Sequence, residues 1–338
     1  MRSAVSRWSA LVAVQVALTL LLLEAMGRLF DPLGISYYPE TARYLDTLIQ
    51  EDPIGYRNRP GLNGTFYGAP VSINSHGMRD REVSSKAPGE YRVLVMGDSV
   101  PFGIGVRYED SIPYQLERIL NETAEPGRSY RTLNMGVPSY NTEQELTQLR
   151  ESGLSLNPDL AMLLFSRNDI EPKKWVFAKR SAWYADLAQR SYAATLLFVF
   201  ARELRARVGQ PAQLISMDEY RPDSSRWQAI DRSLTEINRQ LTAAGVPFVV
   251  FTRFFGAVTK ASELLNEVAA REGFPIVDLD PWSDPRWKNQ DPLKYCNSVV
   301  DNHPNAAGSR VYAVVLAESL HRTGMLNPAG ATGPHAFN

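Results

Sequence analysis

Five apolar runs recur along the later part of this chain, and the segments between them carry helical periodicity. The runs are Tyr91–Met96, Thr132–Met135, Asp159–Phe165, Val246–Phe251 and Phe274–Leu279. Helical patterning falls near Ile112–Leu120, Thr142–Ser152, Ser225–Ala244, Ser262–Arg271 and Val311–His321. A strand with almost no polar alternation must be covered on both faces, and a helix between successive strands is the connection a parallel pair needs. The pattern therefore predicts an α/β fold with a central parallel sheet between helical layers. Trp227, Ile230, Leu234, Ile237 and Leu241 form a stripe at helical spacing and read as core.

The N-terminus sets the compartment. Arg2 and Arg7 precede an apolar stretch from Trp8 that continues to Phe30, interrupted by Glu24 and Arg28. A helix over residues 8–30 would be about 35 Å long at 1.5 Å per residue, enough to cross a hydrocarbon core of about 30 Å. The basic flank before it predicts that the rest of the chain lies outside the cytoplasm. Residues 1–30 are thus expected to be a membrane anchor. The alternative is a signal peptide cleaved near Ala25-Met26-Gly27, with the body secreted. Residues 31–90, rich in Pro, Gly, Asn and Tyr, read as a β-rich extension, with residues 31–55 open to a second reading as a spacer. The net charge of −1 gives no global attraction to nucleic acid. Cys296 is the only cysteine, so no intrachain disulfide forms. Four histidines and no CxxC provide no metal framework.

Residues 171–222 break the alternation. They hold Trp175, Trp183, Tyr184, Tyr192 and the apolar run Ala193–Ala201, followed by Arg202, Arg205 and Arg207. A helical insertion over the edge of the active site is the expectation; a crossover helix buried on the sheet and an interfacial membrane contact are the alternatives.

Chemistry is carried by four short blocks. Gly97-Asp98-Ser99 closes the first strand, where an α/β protein places a nucleophile or binds a ligand. A serine hydroxyl needs a base to take its proton, the base needs an acid to orient it, and the oxyanion needs donors. His303, in Asp301-Asn302-His303-Pro304-Asn305, is the candidate base. Pro304 biases it toward an extended backbone, so Asp301, two residues earlier, points the same way and can hold the imidazole. Asn305 is a candidate N-cap for the closing helix. Gly136, after the second strand, and Asn168, after the third, leave the sheet at the same edge as Ser99 and are candidate oxyanion donors. Each residue also has a plainer reading: a turn serine, a solvated histidine, a turn glycine, a helix cap.

Together these blocks resemble the SGNH hydrolases, or GDSL-type esterases and lipases, over residues 91–323. The resemblance places Ser99, Gly136, Asn168 and His303 at the four name-giving positions. Asn74-Ser75-His76-Gly77-Met78-Arg79 is similar to the segment that precedes the first block in exported bacterial members. It implies a flavodoxin-like three-layer α/β/α sandwich over residues 91–326 with a tail at 327–338. It also implies an oxyanion hole of the Ser99 N–H, the Gly136 N–H and the Asn168 side chain. Two positions depart from the pattern. Ser166 stands where the third block usually begins with glycine, and Val300 stands where the acid is often found, three residues before the histidine.

The expected function is an exported serine esterase acting, without cofactor or metal, on an acetylated or short-acylated small molecule or glycan. Its expected setting is the bacterial inner membrane, crossed once, with the catalytic domain in the periplasm. An O-acyltransferase that hands the acyl group to a cell-envelope or exported polysaccharide is the alternative. A metallophosphoesterase is disfavoured by the order of its Asp-x-His and Gly-Asp pieces and by the shortage of ligands. A non-catalytic binding module is disfavoured because every catalytic residue type is present.

Overall fold

A computed structural model gives the fold and describes residues 2–31, 33–172, 187, 190–207, 217–252 and 259–326. The expected tail at 327–338 and much of the expected insertion, including Trp175, Trp183 and Tyr184, lie outside the described residues.

In chain order, helix α1 (Arg2–Phe30) and helix α2 (Tyr37–Leu45) precede two small antiparallel hairpins. These are β1 (Ile49–Glu51) with β2 (Gly55–Arg57), and β3 (Asn63–Phe66) with β4 (Ala69–Ser72). Then come β5 (Glu90–Gly97), α3 (Ser99–Phe102), α4 (Ile112–Glu122), β6 (Ser129–Asn134), α5 (Thr142–Gln148) and β7 (Leu160–Phe165). The described chain closes with α6 (Tyr192–Arg207), α7 (Ser225–Ala243), β8 (Phe248–Thr252), α8 (Thr259–Glu272), β9 (Ile276–Asp278) and α9 (Ala306–Arg322).

The last five strands form one parallel sheet in the order β6-β5-β7-β8-β9. This is the order of the flavodoxin-like sandwich, with the chain reversing direction across the sheet between β5 and β7, where such folds bind their ligands. All six residues of β7 are buried, which is why its sequence shows no alternation. The two faces separate by residue parity. Leu94, Met96, Leu163 and Val250 face α7 and α8 through Trp227, Ile230, Leu234, Leu265 and Val268. Val93, Val95, Met162 and Val249 face α4 and α9 through Leu116, Leu120, Leu316 and Leu320. The expected three-layer α/β/α sandwich is the fold observed.

A third apolar cluster sits apart from the two faces. Tyr44, Ile54, Tyr56, Phe66 and Val71 from residues 37–73 pack on Phe102, Ile104, Val137 and Tyr140 from the loops that leave β5 and β6. Tyr56 Oη donates to Pro138 O (2.9 Å), which fixes the layer further. Residues 37–73 thus cap the carboxyl edge of the sheet, and they include a helix, α2, as well as hairpins. Within α1, Trp8–Phe30 is long and apolar enough to cross a membrane.

Candidate active site

Ser99 begins a single helical turn immediately after β5. The turn needs Gly97: its φ is 143°, and a Cβ there would lie 2.8 Å from Pro101 Cγ and 3.1 Å from Leu164 O. Asp98 caps the turn, its Oδ1 accepting from Val100 N–H at 2.9 Å. Arg79 holds the far end. Its buried guanidinium donates to Phe102 O (3.0 Å), Val106 O (2.6 Å), Pro70 O (3.0 Å) and Gly103 O, and lies over the Phe102 ring. Burial pushes this guanidinium down to about 10, still cationic at neutral pH, with four carbonyls in place of a carboxylate partner. Asn74 prepares that clamp: its Oδ1 accepts from His76 N–H and Met78 N–H and turns the chain into Arg79. The segment Asn74–Arg79 therefore braces the Ser99 turn.

His303 Nε2 lies 2.7 Å from Ser99 Oγ, and its Nδ1 lies 2.5 Å from Asp301 Oδ1. An ionised Asp301 can only accept, so the Nδ1 proton faces it and leaves Nε2 as acceptor for the serine hydroxyl. The same Asp301 oxygen accepts from His303 N–H (3.1 Å). Its other oxygen accepts from Asn297 Nδ2 (3.0 Å), which also donates to Ile104 O (2.9 Å) and so ties the acid to the loop after Ser99. The loop is pinned elsewhere too. Ser298 Oγ accepts from Asp301 N–H (3.0 Å), and Asn297 N–H donates to His303 O (2.9 Å). Asn305 caps α9 through Gly308 N–H (3.0 Å) while its amide donates to Lys294 O and Cys296 O. The side chains of His303 and Asp301 are 12% and 7% exposed, so the pair is shielded but reachable.

Sequence reasoning missed Tyr37. This first residue of α2 places its ring 5.7 Å from the His303 imidazole. Burial and the nearby Asp301 charge push its phenol up to about 12, so it stays neutral beside the imidazole. Nothing in residues 31–55 signals this, since the contact spans more than 260 positions of sequence and Tyr37 itself sits in an ordinary Tyr-Tyr-Pro.

The expected oxyanion donors differ in what they do. Gly136 donates its N–H to Asn134 Oδ1 at 3.0 Å, so that hydrogen is already engaged. Its lack of a side chain serves packing: a Cβ would lie 2.3 Å from Phe102 N and 2.9 Å from Pro101 C. Gly136 is where the β6 loop touches the backbone of the Ser99 turn. Asn134 Nδ2 joins the same contact by donating to Pro101 O (2.8 Å). Asn168 lies half-buried in the turn Arg167–Ile170 that follows β7. Gly97 pairs with Leu164, so this turn and Ser99 leave the sheet side by side. Tyr220 Oη donates to Arg167 O (3.1 Å) and braces it.

Behind these residues lie two fully buried acids, Glu145 of α5 and Asp169. Both are raised well above the usual carboxylate range by burial. Asp169 is raised further by the nearby charges of Glu145 and Asp98, and Glu145 by that of Asp98. A cavity of about 430 Å³ opens beside Asp301, lined by Asp31, Ser36, Tyr37, Tyr67 and Asn297 among others. It lies behind the acid, and neither Ser99 nor His303 lines it. Among the described residues no three His, Cys, Asp or Glu side chains are grouped as metal ligands.

A family model described as the GDSL-like Lipase/Acylhydrolase family matches residues 95–311. No curated protein matches the sequence. Among solved structures, the chain is similar to a two-domain esterase (CEX) active on acetylated mannans, crystallised with mannopentaose. That match has 14% identity and a TM-score of 0.45, over 73% of this chain and 54% of that one. The chain thus spans about half the length of that esterase. It is similar also to a lipase/acylhydrolase from Enterococcus faecalis (14% identity, TM-score 0.42, 71% of this chain and 100% of that one). A third similar structure is the psychrotrophic esterase EstA from Pseudoalteromonas sp. (10% identity, TM-score 0.42, 69% of this chain and 97% of that one).

Proposed function

Because the chain belongs to the GDSL-like lipase/acylhydrolase family, an ester-hydrolysing family, we propose that it is an exported serine esterase working through Ser99, His303 and Asp301. The observation that carries this reading is the continuous hydrogen-bonded chain from Ser99 Oγ through the imidazole to Asp301. His303 Nε2 takes the hydroxyl proton as Ser99 Oγ attacks the ester carbonyl carbon. The carbonyl π pair moves onto oxygen, where the Ser99 N–H and the Asn168 amide are the donors. Gly136 enters as the close contact that sets the turn, since its own N–H is held by Asn134. The tetrahedral intermediate collapses, the C–O bond to the alcohol breaks, and the imidazolium returns its proton to that leaving oxygen. A water then attacks the acyl-enzyme, again giving its proton to Nε2, and the acid departs as Ser99 recovers its hydrogen. Asp301 remains ionised and stabilises the imidazolium at each stage.

The substrate is an acetyl or other short acyl ester of a glycan or small molecule, and the enzyme is held at the bacterial inner membrane by α1 with its body in the periplasm. The basic Arg2 and Arg7 ahead of the apolar span support that orientation. The test is the Ser99→Ala protein against a nitrophenyl acetate, with fluorophosphonate labelling of the parent. Loss of both turnover and labelling is expected; activity retained by Ser99→Ala refutes the assignment. Incubation with acetylated glycans then separates release of free acetate from transfer to a sugar hydroxyl.

A further inference from the structure

Glu24 and Arg28 are the two residues that interrupt the apolar surface of α1 near its end. Both are consumed in seating α6. Glu24 Oε2 accepts from Ser191 Oγ (2.8 Å) and from Ala193 N–H (3.0 Å), so it satisfies the first turn of α6 as a cap would. Its other oxygen accepts from Arg28 Nε (2.6 Å). Arg28 Nη2 donates to Arg190 O (2.8 Å), and its guanidinium lies over the Tyr192 ring. Between them Gly27 lets the helices close: a Cβ there would lie 2.7 Å from Tyr192 Cβ.

Beyond this junction α6 has little cover. Ala193 and Thr195 are buried, but Leu197, Phe200 and Leu204 are 54%, 65% and 53% exposed. They fall at i, i+3 and i+7, one stripe of the helix. The neighbouring α1 exposes Leu18, Leu21, Leu22, Leu29 and Phe30, so both helices that meet at Glu24 present exposed apolar side chains. Soluble surfaces rarely carry a patch of this kind. The sequence continues α6 with Arg202, Arg205 and Arg207, residues suited to anionic headgroups.

We propose that α6 is seated in the same lipid bilayer as α1, giving the enzyme a two-helix membrane contact joined at Glu24. Lipid is favoured over a second copy of the chain because α6 is joined at Glu24 to a helix of membrane-crossing length whose apolar side chains are left largely uncovered. A single span leaves the catalytic body free to swivel; a second seated helix fixes which face looks at the membrane.

The proposal rests on α1 crossing a membrane, and the test keeps the two apart. In a Cys296→Ser background of the full chain, single cysteines at Leu18, Leu197, Phe200 or Glu263 are labelled with an environment-sensitive NBD dye. The proteins are reconstituted in phosphatidylethanolamine–phosphatidylglycerol vesicles. Labels at Leu197 and Phe200 should shift to the blue, be quenched by doxyl lipid and be protected from aqueous iodide, as at Leu18. The label at exposed Glu263 should be quenched by iodide. Glu24→Leu should abolish the protection at Phe200, and Glu24→Gln should largely keep it. A protected Leu18 with an iodide-quenched Phe200 overturns the proposal alone. So does a Phe200 shielded from iodide but untouched by doxyl lipid and crosslinked between copies. An iodide-quenched Leu18 overturns the anchor together with it.

Discussion

Replacing Glu145 by glutamine should make the protein more stable, and increasingly so as the pH rises. Glu145 is fully buried, and neither carboxylate oxygen finds a hydrogen-bond partner among the described residues. Asp169 nearby has one oxygen without a partner and the other 3.5 Å from Thr142 Oγ1. Burial raises both, with added repulsion from the Asp98 carboxylate, so the folded protein keeps protons that the unfolded chain gives up near pH 4. The sign follows from proton counting. Below the unfolded values both states are protonated and nothing is lost. Above them the folded state binds more protons, so stability falls by up to about 1.4 kcal/mol per pH unit per titrating group until the folded value is passed. The two acids share one site, and their apparent values belong to the pair. The substituted glutamine cannot ionise. Its packing and amide cost is constant with pH, so the slope of the difference isolates the linkage. Above about pH 5 the melting temperature of Glu145→Gln should rise relative to the parent by up to roughly 3–5 °C per pH unit until the folded value is passed. Thermal unfolding of the detergent-solubilised full chain measures it. A difference that stays flat with pH refutes the reasoning, because it would mean that Glu145 titrates alike folded and unfolded.

Three further outcomes are expected. Gly136→Ala drives a methyl into the Phe102 and Pro101 backbone, which cannot rotate away as a side chain would. It should cost about 1–3 kcal/mol in thermal unfolding and depress kcat on a nitrophenyl ester by displacing the Ser99 turn. Arg79→Met strips the donors from four carbonyls around that turn and should cost on the order of 3 kcal/mol or more, read from the same unfolding curves. Asp301→Asn keeps the shape of the acid but presents no charge to Nδ1–H, and should lower kcat by roughly 10³–10⁴-fold with the fold intact by circular dichroism.

The sheet was legible because its central strands β5, β7 and β8 are buried on both faces, which leaves short unbroken apolar runs such as Leu160–Phe165. The alignment of Asp301 with His303 was legible for a local reason: proline extends the chain and an i, i+2 pair shares a face. What escaped was non-local. Helix α2 holds three tyrosines and a proline, a composition that hides helical periodicity, and its value lies in contacts with Phe102 and His303 that only folding brings together. Gly136 was expected to offer its N–H to an oxyanion, whereas that hydrogen is engaged by Asn134, two residues back, a geometry that no spacing rule reveals. Nothing in the helical pattern near Thr142–Ser152 sets Glu145 apart. Its isolation depends on Asp169 and Asp98 arriving from the ends of two strands.

The distance along the chain between Ser99 and His303 also has a consequence in time. The two are 204 residues apart, and the base sits on the loop that enters the last described helix. At about 5–20 residues per second, ribosomal synthesis needs on the order of 10–40 s to span that interval. Throughout it Ser99 is made but its imidazole partner is not. On the proposed mechanism hydrolytic competence is therefore acquired late, after the whole sheet is available, and a chain arrested partway through synthesis carries an inert hydroxyl.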